Sequence, residues 1–207
     1  MTIEDAYNEW SEQYDHNRNK TRDLDAAATA KILNNYNFST IIELGCGTGK
    51  NTGYLLKRAD KVIGIDFSEN MLKKARNKFS DENVEFRKWD LTKTWNLKSE
   101  SADLITCNLV LEHIENLDCV FSQAYETLKP GGLFFISELH PFKQYLGSKA
   151  RYDVDGITKQ LETYTHHTSE YLKTAANHGL SLVEFNEWFD ESTEEQVPRL
   201  IGLLLRK

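Results

Sequence analysis

The sequence predicts an α/β fold, a doubly wound and mostly parallel sheet with helices on both faces, from three observations. Strand-like and helix-like runs alternate through most of the chain, as in a parallel sheet covered on each side. The stretch Ile41-Ile42-Glu43-Leu44-Gly45-Cys46-Gly47-Thr48-Gly49 passes from a β-branched pair into glycines at i, i+2 and i+4, and a helix-compatible segment follows. An acid, Asp66, closes the next apolar run, Val62-Ile63-Gly64-Ile65. Glycines let backbone approach a ligand without a Cβ in the way, and the amino end of the following helix faces the same ligand. A carboxylate at the next strand end can accept hydrogen bonds from a ribose. A loop and an acid so arranged make a nucleoside pocket.

Each element has its own signal. Before Thr21 an arm carries Tyr7, Trp10 and Tyr14 at i, i+3 and i+7, the spacing of one helix face. A helix is expected over 22–36, the β-branched strand over 40–44, and a helix over 49–58 after the glycine turn. A strand at 60–66 leads to a helix at 68–79, capped by Ser68 and turning Met71, Leu72 and Ala75 inward. Strands at 83–88 and 102–108 follow, then a helix at 116–128 that Lys129-Pro130-Gly131-Gly132 ends, turning the chain into a strand at 132–139. Residues 141–166 are polar and aromatic and suit an inserted lid or hairpin. After a helix at 168–178, the apolar runs 180–189 and 198–206, joined by the acidic loop 190–195, suggest an antiparallel pair at the sheet edge. The expectation is thus a Rossmann-like, seven-stranded sheet with an antiparallel edge strand. It forms a single domain over 1–207: an N-terminal helical arm (1–21), a cofactor-binding core (22–139), a substrate-side insertion or lid (140–167), and a C-terminal helix with edge strands (168–207).

Composition narrows the function. A chain of 207 residues, 40% hydrophobic and 28% charged, suits one soluble globular domain with a well-buried core. A net charge of −7 argues against nucleic acid as a partner, since phosphate binding relies on a basic face. The three cysteines, Cys46, Cys107 and Cys119, are too few and scattered for a disulfide framework or a zinc site, which fits a reducing cytosol. The acidic, polar amino terminus does not read as a signal peptide, and no apolar run approaches the ~20 residues of a membrane span. A cytoplasmic protein, monomer or homodimer, is expected, with no membrane or nucleic-acid partner and no metal.

Two further blocks extend the pocket. In Val84-Glu85-Phe86-Arg87-Lys88-Trp89-Asp90-Leu91 an acid just after the third strand can accept a hydrogen bond from the exocyclic amine of adenine, with Trp89 or Leu91 covering the ring. After the fourth strand comes Asp103-Leu104-Ile105-Thr106-Cys107-Asn108-Leu109-Val110-Leu111-Glu112-His113-Ile114. The order of these motifs resembles class I S-adenosylmethionine-dependent methyltransferases, in particular the small-molecule branch with the ubiquinone- and biotin-pathway enzymes. The resemblance spans residues 40–138, where five motifs stand in register: ELGCGTG, VIGIDFSENML, FRKWDL, DLITCNLVLEHI and LKPGGLFFISE. The tail, with His140-Pro141, His166-His167 and Glu187-Trp188, is similar to one subgroup but less specifically so.

The resemblance implies S-adenosylmethionine as cofactor, methyl transfer to a small molecule, and roles for named residues. Gly45, Cys46, Gly47 and Gly49 would pass beside the amino-acid portion of the cofactor, with Glu43 organising the loop. Asp66 would hold the ribose hydroxyls, Met71 or Phe67 would pack on the adenine, and Asp90 with Leu91 would recognise its edge. Asn108 would offer its backbone carbonyl to the ammonium, and Tyr14 and Arg22 would close over the methionine carboxylate. Methyl transfer from a sulfonium is an in-line displacement in which alignment alone supplies roughly 7–11 kcal/mol. A base is needed only for a protonated acceptor, and the candidates are His140, at the carboxyl end of the fifth strand, His113 and His167. Tyr145, Arg151 and Tyr164 are candidate substrate contacts, and Arg151 could pair with an anionic acceptor.

Two other functions stay open on these residues. A nicotinamide-dependent oxidoreductase also joins a glycine turn to an acid, but its fingerprint is G-x-G-x-x-G, and here Lys50 stands where the third glycine belongs. A non-catalytic S-adenosylmethionine-binding protein would share the pocket. Asn108-Leu109-Val110-Leu111 lacks the Pro-Pro-aromatic run of the enzymes that methylate amino groups of DNA adenine or protein glutamine.

Overall fold

The structure is a computed structural model that describes residues 2–154, 156–190 and 197–207. Seven strands form one sheet in the order β3-β2-β1-β4-β5-β9-β8. They are β1 (Phe38–Leu44), β2 (Ala59–Asp66), β3 (Val84–Lys88), β4 (Ala102–Asn108), β5 (Leu128–Leu139), β8 (Ser181–Trp188) and β9 (Leu200–Arg206). The first five are parallel, and β9 runs antiparallel between β5 and β8. The expected edge pair is therefore present, while the acidic loop joining it falls, beyond Asp190, outside the described residues. Chain order reverses between β1 and β4, and such a switch point opens a crevice at the carboxyl ends of the two strands.

Alternation along the strands sorts side chains into two cores. The adjacent Phe134 and Phe135 of β5 point to opposite faces. Phe134 packs with Ile105 and Phe121 on one side, and Phe135 packs with Ile41, Leu104 and Leu33 on the other. The helices covering these faces are α2 (Lys20–Leu33), α3 (Thr52–Leu55), α4 (Glu69–Lys78), α5 (Asp118–Thr127) and α7 (Thr168–Asn177). Ser68 caps α4 by accepting from the Met71 amide at 3.2 Å, and Met71, Leu72 and Ala75 are buried as the stripe requires.

The helix of the arm stops at Trp10 and leaves Tyr14 in a turn, and two further elements differ from expectation for local reasons. The helix expected over 49–58 shrinks to α3, because Gly49 adopts φ +82° and the chain through Asn51 is spent on the turn. The Lys129–Gly132 segment does not interrupt β5 but is absorbed as an irregularity, Ala102 pairing with Leu128 and Leu104 with Leu133.

The arm and the insertion meet above the crevice. The arm contains α1 (Ile3–Trp10). The insertion contains α6 (Pro141–Tyr145) and a hairpin of β6 (Arg151–Val154) and β7 (Ile157–Gln160). Ala6 and Trp10 form a small core with Tyr152 and Leu161, the Trp10 and Tyr152 rings stacking at 5.3 Å. Glu9 fastens the pair by accepting from the Tyr152 hydroxyl and from Lys159, each at 2.7 Å. Among the described residues no helix is long and apolar enough to cross a membrane.

Candidate active site

The turn after β1 is shaped by two glycines. Gly45 has φ +66°, and a Cβ there would lie 2.1 Å from Val110 Cγ2. Gly47 has φ +53°, and a Cβ there would meet no protein atom within 4 Å, because it would project into a cavity. That cavity, about 350 Å³, runs from the glycine turn past Asp66, Phe67 and Met71 to Asp90 and Leu91, with Asn108 and His113 on its β4 side. Thr2, Ile3, Glu4 and Tyr7 of the arm close it from above. Its volume and its mixture of apolar walls with a few convergent polar groups are those of a small-molecule site.

Asp66 organises one end. Its Oδ2 accepts from the Gly47 amide at 2.9 Å and its Oδ1 from the Ser68 amide at 2.8 Å, tying the glycine turn to the start of α4. A smaller recess continues from the same turn, lined by Tyr14, Arg22, Asp25, Glu43, Cys46 and Asn108 among others. Arg22 is buried there, its guanidinium 4.0 Å from the Tyr14 ring centre and donating to the carbonyls of Tyr14 and Asn17. Its Nε has no partner among the described residues. A buried guanidinium without a carboxylate partner is expensive unless an anion completes it.

Comparisons with known proteins agree with this geometry. Residues 42–136 match the methyltransferase domain family. A ubiquinone biosynthesis O-methyltransferase of Coxiella burnetii is 30% identical over 70% of this chain and 64% of its own. The chain belongs to the S-adenosylmethionine-dependent methyltransferases. An uncharacterized methyltransferase of Emericella nidulans is 28% identical over the whole of this chain and 86% of its own. The fold matches that of an S-adenosylmethionine-dependent methyltransferase from Mesorhizobium loti with a TM-score of 0.70, at 23% identity over 89% of this chain and 100% of the other. This chain thus spans most of the fungal relative but less than two thirds of the Coxiella enzyme.

S-adenosylmethionine is the methyltransferase's cofactor, and the residues present fit it. The space in front of Gly47 is a cradle that any Cβ would enter, and the buried Arg22 is a ready partner for an anionic end group.

A second cavity of the methyltransferase, about 510 Å³, adjoins the first and shares Tyr7, Tyr14 and Leu109 with it. Leu109 has φ +57°, uncommon for a branched side chain. The buried Glu138 holds this turn, its Oε1 accepting from the Val110 and Leu111 amides at 2.9 Å each. Leaving such buried amides unpaired costs about 1–3 kcal/mol apiece, so Glu138 stabilises a strained wall between two cavities.

The candidate bases are placed differently from one another. His113 lines the first cavity and accepts at Nε2 from, or donates to, the Tyr7 hydroxyl at 2.9 Å. Its Nδ1 stands 3.1 Å from the Glu162 carbonyl, which can only accept. Nδ1 therefore carries the proton, and in the neutral ring Nε2 accepts from Tyr7. Burial pushes the Tyr7 phenol well above its ordinary pKa, which keeps it a donor. His140 lines neither cavity: its Nδ1 accepts from the Phe142 amide, capping α6, and its Nε2 faces Glu187 at 3.1 Å. His167, at the amino end of α7, is exposed and pairs with the Tyr145 hydroxyl at 2.6 Å, and neither residue lines either cavity. Tyr164 likewise lies outside them, donating its amide to the Glu112 carbonyl, whereas Arg151 lines the second.

Three participants carried no recognisable signal in the sequence. Tyr7 looks there like part of an apolar stripe. Asp25, buried, accepts from Asn108 at 2.7 Å and from Asn51 at 2.9 Å, joining β4 to the glycine turn. Glu138 sits inside an apolar strand run.

Buried carboxyls give the methyltransferase a testable pH dependence. Burial pushes Glu43 up to about 8 against the opposing Thr52 hydroxyl, and pushes Asp66 up to about 6 against the Ser68 and Gly47 amides. Both native values exceed the unfolded ones of about 4. The native state then keeps protons that the unfolded chain has released, so the stability they contribute is complete below about pH 4. It is lost as pH rises through about 6 and then about 8. The Tm of the protein alone is expected to fall between pH 7 and 9, and Glu43→Gln to make that fall shallower. Parallel Tm profiles for the two proteins would contradict the assignment.

Proposed function

We propose that the protein transfers a methyl group to a small molecule held in the second cavity, and that Tyr7 and His113 relay the acceptor's proton. The observation that carries this reading is the position of Tyr7, on the wall common to both cavities, with its hydroxyl already on His113 Nε2. S-adenosylmethionine supplies an electrophilic methyl on a sulfonium, transferred by in-line displacement. Gly45, Cys46 and Gly47 with Glu43 form the cradle for its amino-acid end, whereas Gly49 turns its open side to the Phe79 ring; Tyr14 and Arg22 receive the carboxylate, and the Asn108 carbonyl receives the ammonium. Asp66 takes the ribose, while Phe67, Met71, Asp90 and Leu91 enclose the adenine. At the junction the acceptor's proton passes to the Tyr7 oxygen as the Tyr7 proton passes to His113 Nε2, and the Glu162 carbonyl steadies the resulting imidazolium. The arm and the hairpin exclude water from the junction. The Coxiella relative is named for O-methylation, which favours a hydroxyl as the acceptor group.

The test is transfer of labelled methyl from S-adenosylmethionine to a fractionated metabolite extract. Label in a small-molecule fraction is expected with the active protein and not with a heat-inactivated sample. Firm binding of S-adenosylhomocysteine with no transfer would overturn the enzyme reading in favour of a non-catalytic binder.

A further inference from the structure

The walls of the second cavity are charged against the balance of the whole chain. The protein carries 32 acidic side chains and 25 lysines and arginines. Yet the cavity is lined by Arg18, Lys20, Arg22, Lys149, Arg151 and Arg199, with Glu112 as the one carboxylate among its described lining residues. A solvated face of so acidic a protein would intersperse the two signs. Glu112 is one carboxylate against six cations; burial raises its pKa above the ordinary range, and Gln144 donates to it at 3.2 Å.

Partners within the fold account for only part of the positive charge. Arg199 is paired with Asp190, Nε to Oδ1 at 2.6 Å. Arg22 donates to two backbone carbonyls and belongs to the recess beside the glycine turn. The side chains of Arg18, Lys20, Lys149 and Arg151 make no hydrogen bond or close ion pair with the described residues, Arg18 and Lys20 acting only at longer range on Asp23 and Asp190. They come from two segments, the end of the arm with the first turn of α2 and the chain entering β6, and converge on one concavity. A cleft lined by one sign of charge between low-dielectric walls concentrates ligands of the opposite sign. Two guanidinium forks and two ammonium groups match the oxygens of a carboxylate or a phosphoryl group.

We propose that the acceptor carries an oxyanion group, carboxylate or phosphoryl, which Arg18, Lys20, Lys149 and Arg151 grip while its nucleophilic atom lies beside Tyr7. This rests on the reading of the second cavity as the acceptor's. The anionic group selects and orients the acceptor, and the junction performs the transfer.

Binding tests this without knowing the acceptor. The protein is saturated with S-adenosylhomocysteine and titrated with inorganic phosphate or with malonate at constant ionic strength, and amide chemical shifts are followed. Saturable shifts centred on residues 18–22 and 147–151 are expected for at least one anion, and the stronger arm tells a phosphoryl site from a carboxylate site. The double variant Lys149→Glu with Arg151→Glu is expected to weaken that binding about tenfold or more. Its affinity for S-adenosylhomocysteine reports that the fold and the first cavity are intact. No saturable response to either anion, or binding that survives the double charge reversal, overturns the proposal. Failure of the unaltered protein to bind S-adenosylhomocysteine would instead overturn the methyltransferase reading beneath it.

Discussion

Replacing Tyr7 by phenylalanine is expected to slow methyl transfer by about 10²–10⁴-fold, the range for loss of a positioned proton-transfer group. The substitution keeps the ring, and with it the contacts to Trp10, Phe67 and His113 at centroid distances of 5.6, 5.6 and 5.5 Å. Only the hydroxyl is lost, so the affinity for S-adenosylhomocysteine should change little and the loss should fall on kcat. If the two residues act as one relay, the double variant Tyr7→Phe with His113→Ala should be little slower than the worse single variant, because members of a unit are not additive. Single-turnover rates with a fixed acceptor give the measurement. An unchanged rate in Tyr7→Phe would show that the acceptor reaches the junction already deprotonated, or that the proton leaves by another route.

The second large effect concerns Gly47. Gly47→Ala adds one methyl group that meets no protein atom within 4 Å but enters the cavity proposed for the cofactor. The left-handed conformation costs a non-glycine residue about 1–2 kcal/mol, a tolerable fraction of a domain's stability. The cofactor, in contrast, loses its approach to backbone, and affinity for S-adenosylhomocysteine is expected to fall about 100-fold, equivalent to about 2.7 kcal/mol. Gly45→Ala should behave differently. Its Cβ would stand 2.1 Å from Val110 Cγ2, so the turn and the β4 loop must both move and folding itself is weakened. Calorimetric titration together with Tm separates the two outcomes. Comparable affinity in Gly47→Ala and the natural protein would mean that no ligand approaches that face of the turn.

How much of this was legible in the sequence follows from how local each signal is. The sheet and its two cores are written in short continuous apolar runs and in the glycine turn, which depend on neighbours a few residues away. Ser68 is legible because capping is local, and so, in hindsight, is His140. In His140-Pro141, proline at the first helical position marks the preceding residue as a cap, and the ring does accept from the Phe142 amide. Position at the carboxyl end of β5 favoured His140 as a base, but its rotamer turns it toward α6 and Glu187. Tyr7 and His113 are 106 residues apart, and nothing at either position announces the other. Their pairing depends on the arm folding back over the crevice, which tertiary packing of Trp10 on Tyr152 decides. The cationic cavity was hidden for the same reason: Arg18 and Lys20 lie where the arm enters α2 and Lys149 and Arg151 lie in the insertion, so only their convergence gives them meaning.

A crystal structure with S-adenosylhomocysteine tests the central claim most directly. Its ribose is expected on Asp66, its adenine enclosed by Phe67, Met71 and Leu91, its carboxylate on Arg22, and its sulfur turned toward Tyr7. The ligand bound elsewhere, or bound there with its sulfur facing away from the second cavity, would contradict it.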